Sequence, residues 1–84
     1  MSPGRIVPAR ELLGDMLIEV KQPDAALKEY EASQLREPNR FRGYLGAARA
    51  AELSGDKAKA AAYYQKLLAL AKDAFVAEAE ALGN

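Results

Sequence analysis

Shifted against itself by 34 residues, the chain places Leu13, Gly14, Leu17, Ala26 and Tyr30 on Ala47, Ala48, Ala51, Ala60 and Tyr64. A repeat of this length is one supersecondary unit written twice, and a unit of that kind buries its apolar face by stacking on its neighbour. Half of the 84 residues are hydrophobic but only 7% are aromatic, and alanine supplies much of the apolar share. Alanine is the strongest helix former and small enough to let helices approach closely, whereas threonine is absent and valine and isoleucine are scarce. The expected fold is therefore all-α. At this length it is a single small domain with a thin stability margin.

Helix signals divide the chain. Met1 to Val7 carries Pro3 and Gly4, has no helical period, and reads as a flexible lead-in or the scar of a cut from a longer protein. From Pro8, apolar residues at Ala9, Leu12, Leu13, Met16, Leu17 and Val20 trace one face of a first helix. Pro23 and Asp24 open a second, running to about Arg36. Pro38 ends it and Asn39 is the expected cap of a third helix, over roughly Arg40 to Leu53. In Ser54-Gly55-Asp56, glycine suits a left-handed C-cap and Asp56 suits the N-cap of a fourth helix, expected to reach about Ala71. The segment 73–82 is helix-prone. It either continues the fourth helix or, the favoured reading, breaks near Asp73 so that Phe75, Ala79 and Leu82 pack back as a cap on the last pair.

These residues resemble the tetratricopeptide repeat, in which a bulky residue, Leu-Gly, an aromatic, Ala-x-x-x-aromatic and a closing proline recur. Leu13, Gly14, Leu17, Ala26, Tyr30 and Pro38 fit in the first copy, with Arg10 where the family has a bulky apolar residue. Tyr44, Ala48, Ala60 and Tyr64 fit in the second; Ala47 and Ala51 are smaller than usual and Lys72 replaces the proline. The resemblance covers about Pro8 to Lys72. It implies two antiparallel helix-turn-helix repeats, about 8–38 and 39–72, stacked right-handed, plus a C-terminal capping or extending helix at about 73–82. It also implies a concave groove lined by the first helix of each repeat, which on this chain comprises Glu11, Asp15, Ile18, Glu19, Arg42, Leu45, Arg49 and Leu53. Lysine and asparagine clamps that hold a C-terminal carboxylate in some members have Glu11 and Asp15 in their place here.

Independently of that resemblance, Gly14, Gly43 and Gly46 each cost about 1 kcal/mol inside a helix relative to alanine, which points to another helix pressed against each. Tyr30 and Tyr64 are expected to fill the space between successive helix pairs. As an alternative to contacting a partner, Asp15 and Arg49, equivalent across the shift, would pair on neighbouring helices at a value of about 0–1 kcal/mol or stay solvated.

Little in the chain points to catalysis. There is no histidine or cysteine, and the few serines stand in no nucleophile elbow. Glu11, Asp15 and Glu19 form a straight ladder on one helix, which does not enclose an ion as a bent calcium loop does. Gly43-x-x-Gly46 lacks the lysine of a phosphate loop. No cofactor, metal or reaction is expected. Twelve basic and twelve acidic residues cancel, which removes the field that nucleic-acid binding needs, and no apolar stretch approaches the roughly 20 residues of a membrane span. A soluble, non-enzymatic module that binds a protein or peptide is the leading expectation. Its competitor is a self-associating module, since two visible repeats fall short of the three or so that bury a continuous core. The compartment is unassigned, with the cytoplasm only a default.

Overall fold

In a computed structural model, residues 8–82 are described and form four helices: α1 (Ala9–Glu19), α2 (Pro23–Arg36), α3 (Phe41–Leu53) and α4 (Lys57–Leu82). No strand occurs among the described residues. The lead-in expected at Met1 to Val7 lies outside them. Connections of three or four residues reverse each helix onto its predecessor. Each helix packs on the next, and α1 also touches α3.

The two turns that follow α1 and α3 share one geometry. The Gln22 N–H donates to the Leu17 carbonyl at 2.7 Å and the Lys21 N–H to that of Ile18 at 3.0 Å; in the second turn Asp56 reaches Ala51 at 2.9 Å and Gly55 reaches Glu52 at 3.1 Å. Both are Schellman closures, in which one residue takes a left-handed conformation to satisfy the last carbonyls of the helix. Gly55 adopts φ +86° as expected, and its equivalent 34 residues earlier is Lys21 at φ +63°. Asp56 caps α4 by accepting from the Lys59 N–H at 3.1 Å. Asn39 does not cap α3: it takes φ +65° within the turn, and Arg40 stands at the N-cap without a side-chain hydrogen bond.

The core runs between α2, α3 and the start of α4, through Ala26, Leu27, Tyr30, Ala47, Ala50, Ala51 and Ala60. Helix α3 carries the alanines, and the backbones close up around them. Between α3 and α4, the rings of Tyr44 and Tyr63 lie 6.1 Å apart and Lys66 Nζ sits 5.8 Å over the Tyr44 ring.

Two further expectations fail. The apolar stripe of α1 is not its buried face: Leu12, Leu13, Met16 and Val20 are exposed, while Glu11 and Gly14 turn inward. Nor does the chain break at Asp73. Between Gly55 and the end of α4 there is no glycine or proline, and the alanine-rich run carries the helix on. At 1.5 Å per residue α4 is about 39 Å long against about 20 Å for α3. Its last turns overshoot, so Phe75 and Leu82 cap nothing and remain 71% and 82% exposed.

Candidate functional site

The cleft between α1 and α3 is built on one aromatic ring. Tyr30 on α2 lies between Gly14 of α1 and Gly46 of α3. A methyl group on Gly14 would stand 2.8 Å from ring carbons, and one on Gly46 would stand closer still. The glycines expected to mark close approach do so, and the ring they admit becomes the floor of the cleft. Tyr30 is only 3% exposed, and its hydroxyl donates to Asp15 Oδ1 at 2.5 Å. Burial, and then the hydrogen bond and negative charge of Asp15, push the Tyr30 hydroxyl well above the ordinary tyrosine range. It stays a neutral donor that fixes Asp15 from below.

On α1, a turn before Asp15, Glu11 is 1% exposed. Its carboxylate accepts two bonds from one guanidinium, Arg40 Nε at 2.8 Å and Arg40 Nη2 at 3.2 Å, and a longer one from Ser33 Oγ at 3.5 Å. Arg42 Nε is 3.8 Å away. Gly43 leaves the room, since a methyl group there would stand 3.1 Å from Glu11 Oε2. The bond to Glu11 holds the Arg40 guanidinium above its ordinary value. A carboxylate is stable in such a place only when paired and hydrogen-bonded, and here the pairing ties α1 to α2 and to the entry of α3.

Of the eight residues expected to line a groove, seven converge on one open cavity of about 400 Å³: Asp15, Ile18 and Glu19 from α1, and Arg42, Leu45, Arg49 and Leu53 from α3, with Tyr30 and Gly46 beneath. The eighth, Glu11, belongs to the buried knot and offers no surface. Arg42 bonds Asp15, so the expected Asp15–Arg49 pair does not form. The three-carboxylate ladder is accordingly met by arginines at its first two rungs. Among the described residues no ion pair engages Glu19 or Arg49, which stand exposed on opposite walls. The cleft thus offers an apolar middle from Ile18, Leu45 and Leu53, a neutralised Asp15–Arg42 end, and one free charge of each sign.

Sequence reasoning missed Tyr30 and Gly46 as floor residues of this cavity, although both had been singled out for packing. It also missed the outer cluster where Tyr63 donates to Glu31 Oε2 at 2.6 Å and Lys59 Nζ reaches the same oxygen at 3.1 Å. No group of three or more potential metal ligands lies together among the described residues, and no helix there is long and apolar enough to cross a membrane. No family model, curated protein or solved structure matches the chain.

Proposed function

We propose that this chain is a non-catalytic interaction module, two tetratricopeptide-like hairpins stacked right-handed with α4 extending the second, and that it holds a peptide or partner helix in the cleft between α1 and α3. The observation that carries this reading is the convergence of seven side chains, chosen from equivalent helices of the repeat, on one open cavity with an apolar centre and an unpaired charge on each wall. The shared turn geometry at Lys21 and Gly55 supports the repeat itself. The cleft lacks a histidine or thiol to move a proton or attack a bond, whereas leucines beside unpaired charges suit recognition of an amphipathic segment.

Selection of peptides from a random displayed library against the immobilised chain tests this. Selected peptides should carry an apolar residue beside an acidic one. Their affinity should fall on Arg49→Glu and on Leu45→Ala while circular dichroism keeps its helical signal. Binding that survives both substitutions assigns recognition elsewhere and overturns the reading.

A further inference from the structure

Two unsatisfied surfaces on this chain match each other. The first is the overshooting end of α4, where residues 71–82 are all exposed. Leu68, Phe75 and Leu82 recur at seven-residue intervals, which at 3.6 residues per turn is one stripe, with Ala71 and Ala79 beside it. Lys72 and Glu78 lie three residues to either side of Phe75, which puts them on opposite edges of that stripe, a cation on one and an anion on the other. The second surface is the cleft, with leucines in the middle, Glu19 on the α1 wall and Arg49 on the α3 wall. Among the described residues none of Lys72, Glu78, Glu19 or Arg49 has an ion-pair partner.

Resting on the groove reading above, we propose that the occupant of the cleft is the α4 end of a second copy of this chain. Laid in one direction, the stripe puts Phe75 against Leu45 and Leu53, its Lys72 edge toward Glu19 and its Glu78 edge toward Arg49. Laid in the reverse direction it sets like charges against each other, so the charges select the direction of docking. A chain cannot fill its own cleft this way while α4 runs unbroken past Asp73. The twelve residues of α4 beyond Leu70 are exposed throughout, and the cleft would bury their apolar stripe. Each copy donates one end and accepts another, so the contact is head-to-tail: it closes into a ring, of which two copies exchanging ends is the smallest, or runs on as an open chain.

Sedimentation equilibrium on the full chain, from about 10 μM to about 1 mM, reads this out. The natural chain should gain mass with concentration. Phe75→Ala removes the donor and Arg49→Glu removes the acceptor, and each should weaken association by about tenfold or more. Both positions are exposed, so the fold survives, as circular dichroism verifies. An equimolar mixture of the two variants retains one good donor and one good cleft; it should form a pair and stop at two chains. Adding Glu78→Arg to Arg49→Glu should restore growth. A natural chain that stays monomeric throughout, single variants that associate like it, or a mixture that gives no pair would each overturn the proposal. If selected peptides still bind in an Arg49-dependent way after such a result, the groove reading stands and only the second-copy occupant falls. If they do not, both fall.

Discussion

Tyr30 on α2 and Tyr64 on α4 stand 34 residues apart at matching places in the sequence and meet different fates. Tyr30 is enclosed, with α1 under one face of its ring and α3 over the other, both contacts opened by glycine. Tyr64 packs against the core on one side only; it is half-buried, and its hydroxyl turns out to Glu52 at 3.1 Å. The residue type is constant and the environment is not. What differs is the presence of a following hairpin: α3 arrives to cover α2, whereas no described residue covers the same face of α4. A repeat residue acquires its structural value from the next unit along. The open end is therefore the place where the same physics leaves apolar surface over.

Substitutions sharpen that contrast. Tyr30→Ala should cost about 3–5 kcal/mol, as for other large-to-small changes in a full core, which approaches the whole stability of a domain this small. Tyr64→Ala should cost about 1 kcal/mol. Urea denaturation compares them, and equal losses would dissolve the distinction between the closed and open ends. Arg40→Ala should cost about 3 kcal/mol because it leaves the buried Glu11 charge with only the distant Arg42 and the long Ser33 bond, while Glu11→Gln should cost about 1–2 kcal/mol because the charge goes with it. A reversed order in the same assay would mean that the carboxylate is not confined as described.

Gly46→Ala adds a methyl group against a ring with nowhere to go; overpacking should outweigh the gain in helix propensity and leave a net loss of about 1–2 kcal/mol. Leu68→Ala, at the open end, should stay within about 0.5 kcal/mol in the dilute monomer. The tyrosines give a pH signature. In the folded chain the hydroxyls of Tyr30 and Tyr63 are raised, first by burial and then by Asp15 and Glu31 respectively. The unfolded chain releases those protons near pH 10, so the folded state binds more of them above that pH. The contribution of these two hydroxyls should be level below about pH 10 and fall as pH climbs beyond it. Tyr30→Phe should flatten the fall, and an unchanged slope of urea midpoint against pH would assign it to other groups. Opposite in sign, Lys21→Gly should raise stability by about 0.5–1 kcal/mol by relieving a left-handed lysine at the position where the turn after α3 already has Gly55.

Much of this was legible in the residues. Apolar periodicity with the proline, glycine and capping signals located the helices and the turn at Gly55 and Asp56, and the resemblance to tetratricopeptide repeats named the seven residues that line the cleft. Three helical glycines announced the close approach around Tyr30 and Glu11. The burial of Glu11 was hidden, because acidic side chains go inside only when paired and its partners Arg40 and Arg42 lie 29 and 31 positions further along the chain. Gly43, in a helix with no other reason to hold glycine, was the available hint. The Asp15–Arg49 pair failed because equivalence across a repeat says nothing of the offset at which two helices meet; Arg42 is the residue that comes alongside. The stripe of Phe75, Ala79 and Leu82 favours a break near Asp73 over a continuous helix, yet nothing at Lys72 or Asp73 opposes continuation, and α4 runs on.

Amide hydrogen exchange on the dilute monomer tests the contrast between the two ends most directly. Amides of Ala26 to Tyr30 and Ala47 to Ala51 should exchange slowest, at the rate of global unfolding, and those from Lys72 to Leu82 should exchange fastest within the helices. Slow exchange through to Leu82 in the monomer, or rapid exchange around Tyr30, would contradict the account.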